Sequence, residues 1–67
     1  MTIAERLEQR GRAKGRTEDI LEVLQARGLW VSDAQRKQVL ACTDLDLLRH
    51  WIRRAATIGA TDELFAD

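Results

Sequence analysis

The side chains that could take part in catalysis are few and stand apart in the sequence. The only histidine, His50, lies in the stretch "RHWIRR" on the side of a predicted helix opposite Trp51 and Ile52, where we expect it to be exposed. The only cysteine, Cys42, is not arranged with that histidine as a nucleophile and its base usually are, so we interpret it as a small half-buried residue. This pair does not predict nucleophilic catalysis.

Two pairs of neighbouring carboxylates, Glu18-Asp19 and Asp62-Glu63, could in principle do acid–base work. Each pair falls where a first helical turn is expected, and there a negative charge interacts favourably with the helix dipole. The stretch "GRAKG" lacks the preceding strand and the Lys-Ser/Thr ending of a phosphate-binding loop. We therefore expect no enzyme activity, no cofactor and no metal.

Arginines in "RHWIRR" favour one alternative function, a small helical DNA-binding or adaptor domain. Arg49, Arg53 and Arg54 lie on the last helix of a predicted helix–turn–helix over residues 33–57, where they could contact phosphates or bases. Against this, the chain carries 11 basic and 11 acidic residues, whereas DNA-binding domains are usually clearly basic. We interpret these arginines as a solvated face and do not expect this segment to bind nucleic acid.

The length of 67 residues predicts one small domain with a thin core. One cysteine allows no internal disulfide, so self-association is the expected further source of stability. No apolar run has the length of a membrane span, and "MTIAERLEQR" lacks the apolar centre of a signal peptide. We expect a cytoplasmic protein with no membrane contact.

The elements that carry these residues should all be helices, because proline and β-branched runs are absent. A capping box of Thr2 and Glu5 predicts the start of a long helix over residues 2–27, which Gly28 ends. Arg27 is placed to complement the dipole of that helix. The remaining residues, 28–67, form a small bundle in the same single domain, 1–67.

Two shorter helices and a terminal turn are predicted within the bundle. Ser32 and Gln35 form a second capping box, for a helix over residues 33–42. A third helix begins at Thr43 and runs to about residue 57, and Thr61 caps the final turn "DELF". The predicted core comprises the apolar face of the third helix with residues of the first helix and the tail: Leu21, Leu24, Leu45, Leu48, Trp51, Ile52, Leu64 and Phe65.

The first helix has two apolar faces. Its C-terminal half turns Ile20, Leu21, Val23 and Leu24 toward the bundle, well over a right angle from a stripe on the N-terminal half. We expect that half to project and to pair with another helix. That stripe comprises Ile3, Leu7, Gly11 and Gly15, which share one face, and the predicted interface adds the polar positions Arg10 and Lys14.

Three interpretations of Gly11 and Gly15 remain open. Their missing side chains could let another helix approach closely. Alternatively, Ile3, Leu7, Arg10, Lys14, Thr17, Leu21 and Leu24 form a heptad seam with a polar middle, in which the glycines are secondary. A third interpretation makes the glycines a frayed linker, with Thr17, Glu18 and Asp19 capping a new helix.

The segments "GRAKGRTEDILEVLQARGLWVSD" and "VLACTDLDLLRHWIRRAATIGATDELF" resemble the C-terminal part of bacterial Rpn-type proteins, the recombination-promoting nuclease or transposase-like group. The resemblance covers the chain from about Glu5. It rests on the glycine-spaced charged helix, on "ILEVLQARGL", and on a pattern of spaced residues: Thr43-Asp44-Leu45, Leu48, Trp51, Ala55 and Leu64-Phe65. None of these is a catalytic motif.

In that family the nuclease domain lies upstream, and this sequence contains nothing that corresponds to it. The resemblance implies a non-catalytic C-terminal module that dimerises the nuclease when covalently attached. In some such systems the module is also made alone from an internal start, with which Met1 is compatible. It then inhibits the full-length nuclease, like an antitoxin, by replacing the nuclease dimer with an inactive mixed pair.

Overall fold

A computed structural model describes residues 2–66, and this span contains helices and no strand. Helix α1 comprises Ile3–Ala26, α2 Asp33–Leu40 and α3 Leu45–Ala55, and a 3-10 helix over Thr61–Phe65 ends the chain. The molecule measures 39 × 21 × 18 Å, and its long dimension follows the 24 residues of α1. The predicted all-α class is confirmed. None of the helices in this span is both long and apolar enough to cross a membrane.

The ends of α1 are fixed by hydrogen bonds of their own. Thr2 Oγ1 accepts from the Glu5 N–H at 3.1 Å, one of the two bonds of the predicted capping box. At the other end Gly28 has φ +72°, and the N–H groups of Gly28 and Leu29 donate to the carbonyls of Gln25 and Leu24. This is a Schellman ending, which favours glycine because only glycine adopts positive φ at little cost.

Helix α2 begins as predicted. The Gln35 N–H donates to Ser32 Oγ at 3.1 Å, and Gln35 Oε1 accepts from the Ser32 N–H at 2.9 Å, so both bonds of the capping box form. The helix ends at Leu40, two residues before the expected position. The predicted start of α3 at Thr43 is wrong. Asp44 is the cap, because its Oδ1 accepts from two first-turn N–H groups, and the helix ends at Ala55.

The predicted role of Thr61 as a cap is also wrong. Thr61 is the first residue of the 3-10 helix and is buried, and its hydroxyl donates to the Trp30 carbonyl at 2.7 Å. Glu63 satisfies the free N–H groups instead, since its Oε2 accepts from Gly59 at 2.7 Å and Ala60 at 2.8 Å. The threonine therefore ties the tail to the connector between α1 and α2.

The core lies between α1 and α3, with the tail packed against it. Of the predicted core residues, Leu24, Leu48, Trp51 and Leu64 are buried, and Leu21, Leu45, Ile52 and Phe65 are half-buried against them. The rings of Trp51 and Phe65 meet edge to face, with centroids 5.2 Å apart. Further buried apolar residues complete this cluster: Ala13, Ile20, Val39, Ala55 and Ile58.

Helix α1 is anchored further toward its N-terminus than the sequence predicts. Ala13 and Thr17 are 2% and 1% exposed, and Gln9 Nε2 donates to the Thr43 carbonyl at 3.3 Å. Only the first two turns, ahead of Gln9, extend past these contacts, so the expectation that the whole N-terminal half projects is wrong.

The frayed-linker interpretation is wrong as well. Helix α1 runs unbroken through Gly11, Gly15 and Thr17. Thr17 does not cap a new helix, because its hydroxyl donates to the Lys14 carbonyl at 2.8 Å within α1.

Trp51→Ala should lower the free energy of unfolding by about 3–5 kcal/mol, because it opens a cavity at the centre of the core. Trp30, whose side chain is 78% exposed, provides the matched control. Trp30→Ala should change the free energy of unfolding by less than about 0.5 kcal/mol. Thermal or urea unfolding of both variants measures the difference, and equal losses would contradict this core.

Candidate protein-interaction surfaces

The six residues of the predicted interface lie on α1 but divide between two surfaces. Four of them form what we call the N-terminal stripe: Ile3, Leu7, Arg10 and Lys14. Ile3 is 78% exposed and Leu7 61%, although both are large apolar side chains. The stripe comes from the 4–3 spacing of these residues, which places them along one side of the first four turns.

The heptad seam cannot continue beyond this stripe. Thr17 and Leu24, its next positions, are buried in the core of the same chain. Leu21 is half-buried against that core. A second helix can therefore contact only the part of the seam that begins at Ile3 and ends at Lys14.

Gly11 and Gly15 lie away from the core, and the fold itself does not require them. A Cβ atom added at either position would meet nothing within 4 Å. Both residues sit within a regular helix, and Gly28 is the only glycine among the described residues with positive φ. Neither close packing nor backbone conformation explains why positions 11 and 15 are glycine.

These two glycines line a groove between α1 and α3. The groove has a volume of about 290 Å³, and three arginines line it: Arg12 and Arg16 from α1, and Arg49 from α3. All three side chains are exposed. We call this the arginine groove. The sequence contains the i, i+4 pair on α1, but Arg49 is 33 residues further along the chain, so only the packing of α3 on α1 brings it there.

The three arginines of "RHWIRR" do not form one face. Arg54 is half-buried, and its Nη1 donates to the Ala66 carbonyl and lies 3.5 Å from His50 Nε2. Arg49 lines the arginine groove, and Arg53 is exposed. The set expected for a DNA-recognition helix is thus divided between a structural contact with the tail and two exposed positions that lie one helical turn apart on α3.

The candidate catalytic residues make only local contacts. The thiol of Cys42, which is half-buried, lies 3.8 Å from the Asp44 carbonyl oxygen. His50 is exposed, and its Nε2 lies 3.5 Å from Arg54 Nη1. Across residues 2–66, no group of three or more histidine, cysteine, aspartate or glutamate side chains is placed to hold a metal ion.

Comparison with known proteins yields no match to a protein-family model, a curated protein or a solved structure.

Gly11→Ala and Gly15→Ala should each raise the free energy of unfolding by about 0.5–1 kcal/mol, since alanine loses less backbone entropy in a helix and its methyl group enters open space. Gly28→Ala should instead lower it by about 1–2 kcal/mol, because of the positive φ. Urea unfolding of the three variants shows whether each change raises or lowers the free energy of unfolding. Destabilisation by alanine at position 11 or 15 would mean that the fold does need those glycines.

Proposed function

We propose that this protein is a non-catalytic helical interaction module that self-associates through the N-terminal stripe of α1. The observation that carries the proposal is the exposure of Ile3 and Leu7 on the two turns of α1 that extend past the bundle. Covering both side chains would remove apolar surface from water, which supports association at about 25 cal/mol per Å². The occupant that we propose is the same stripe of a second copy.

Charge favours an antiparallel pair. In a parallel pair in register, Arg10 would face Arg10 and Lys14 would face Lys14 within the seam, and such like-charge contacts oppose association. Antiparallel pairing about the midpoint between Leu7 and Arg10 places Ile3 beside Lys14 of the second copy and Leu7 beside its Arg10. The aliphatic stems of the basic residues can then cover the apolar side chains while their charged groups reach water.

The short stripe supports a weak pair and not an obligate dimer. Each copy contributes two large apolar side chains, and the chain's own core occupies the remaining seam positions. An exchangeable pair suits a regulatory module, because one copy can be replaced by the matching segment of another protein.

The resemblance to Rpn-type proteins supports the identity of that other protein. We propose that the partner is the C-terminal segment of an Rpn-like nuclease, which this module dimerises when attached and inhibits, like an antitoxin, when made alone. The mechanism is competition between the nuclease dimer and a mixed pair. We also propose a cytoplasmic location, where a free thiol such as that of Cys42 stays reduced.

Sedimentation equilibrium over a wide range of protein concentration tests self-association. The parent chain should pass reversibly from monomer to dimer. Ile3→Ser with Leu7→Ser should weaken the dimer at least about tenfold, because the pair would lose the apolar surface that it covers. Leu40→Ser is the matched control, since Leu40 is 47% exposed on α2, away from the stripe. A monomer at every concentration, or equal effects of the two changes, would refute the proposal.

The nuclease partner needs a separate experiment. A nuclease of the Rpn type with a matching C-terminal segment should lose DNA-cleaving activity when titrated with this chain. The Ile3→Ser, Leu7→Ser variant should inhibit far less. Equal inhibition by the parent and the variant would place the contact outside the N-terminal stripe. If neither chain inhibited the nuclease, the proposed partner would be refuted, and self-association would still be decided by sedimentation.

A further inference from the structure

Within residues 2–66, three guanidinium groups share the arginine groove without a hydrogen-bonded protein partner. Two arginines elsewhere do have such partners: Arg27 donates to the Ala55 carbonyl at 2.8 Å, and Arg54 donates to the Ala66 carbonyl. Arg12, Arg16 and Arg49 make no hydrogen bond to any protein group in the same span, although all three line one groove. Their charges repel one another, and the one carboxylate that lines the groove is Asp19.

Gly11 and Gly15 make the same groove open to another backbone. They cost helix stability of about 1 kcal/mol each, and no contact in the chain requires them. Because neither glycine has a side chain, a bound segment can come close to the α1 backbone between the arginines. The arginine groove therefore combines positive charge with room for another backbone beside the two glycines.

We infer that the arginine groove binds an acidic helix of a protein partner, with carboxylates one helical turn apart. Arg12 and Arg16 are four residues apart, which is about 6 Å along α1 at 1.5 Å per residue. Carboxylates at positions i and i+4 of a second helix have the same spacing. Each guanidinium can donate two parallel N–H hydrogen bonds to one carboxylate, and Arg49 provides a third contact from α3.

The observations favour an acidic helix over nucleic acid. Duplex-binding proteins neutralise many phosphates, commonly 6–10 in a specific complex, and the groove offers three arginines. The chain as a whole is neutral, and Glu8 and Glu18 are exposed on the neighbouring outer side of α1. These carboxylates oppose a long polyanion, whereas a short acidic segment needs only the groove.

This surface is separate from the N-terminal stripe. At 3.6 residues per turn, Arg12 and Arg16 lie nearly opposite Ile3, Arg10 and Lys14 around α1. A chain that is paired through the stripe therefore keeps its three groove arginines accessible, although Gly11 lies only about 40° from Leu7 around α1. The inference does not depend on self-association, and each can fail without the other.

Binding of a labelled synthetic helix tests the inference with the full chain. The probe is an alanine-based peptide with glutamate at every fourth position. Fluorescence anisotropy at low ionic strength should show binding that weakens as salt is added. The same peptide with glutamine in place of glutamate, inorganic phosphate and a duplex DNA are the comparison ligands, and each should bind at least about tenfold more weakly than the acidic peptide.

Variants assign the binding to the groove. Arg12→Gln, Arg16→Gln and Arg49→Gln together should weaken peptide binding at least about tenfold, while Arg36→Gln with Arg53→Gln, two exposed arginines outside the groove, should leave it within about twofold. Gly15→Leu should weaken binding by filling the open wall, with the helical circular-dichroism signal retained or raised. Ile3→Ser with Leu7→Ser should bind the peptide as the parent does.

Three results would overturn the inference. Peptide binding that survives the triple glutamine change would exclude the groove as its site. Equal binding of the glutamine peptide would exclude recognition of carboxylates. Tighter binding of duplex DNA than of the acidic peptide, lost in the triple variant, would assign the groove to nucleic acid.

Discussion

Everything else in this small protein depends on the packing of one side of α1 against α3. Ala13, Thr17, Ile20 and Leu24 from α1 meet a core to which α3 contributes Leu48, Trp51 and Ala55. The small residues Ala13 and Thr17 lie in its N-terminal part and the larger Ile20 and Leu24 in its C-terminal part. Along this contact α1 runs unbroken through two glycines, and the packing of α3 on it fixes the place of Arg49 beside Arg12 and Arg16. It also decides which part of α1 remains available to a partner.

The rest of the chain reinforces that contact with a few long-range bonds. Arg27 donates to the carbonyl of Ala55, so the last turn of α1 satisfies a free acceptor at the end of α3. Thr61 bonds to the Trp30 carbonyl, and Asp62 accepts from Gln35, so the tail is held to the connector and to α2. With the edge-to-face contact of Phe65 on Trp51, these bonds close a bundle that lacks a disulfide.

The features that the sequence could predict are those set by local chemistry. The Ser32 and Gln35 capping box, the ending at Gly28 and the apolar face of α3 each depend on residues within a few positions of one another. Other features depend on tertiary contacts. In the sequence, Thr17 and Thr61 both resemble helix caps. In the structure, the Thr17 hydroxyl donates to the Lys14 carbonyl and the Thr61 hydroxyl donates to the Trp30 carbonyl. The arginine groove was missed for the same reason, because its third member comes from another helix.

The central claim is that α1 is one continuous helix, held by the core from Ala13 to Leu24 and available for pairing over its first turns. Residue-resolved amide hydrogen exchange at low and high protein concentration tests it most directly. We expect strong, concentration-independent protection from Thr17 to Leu24, with protection of residues 6–12 that is weak in dilute solution and rises with concentration. Fast exchange at Thr17 and Glu18 would contradict a continuous helix. Protection of the first turns that does not change with protein concentration would contradict pairing through them.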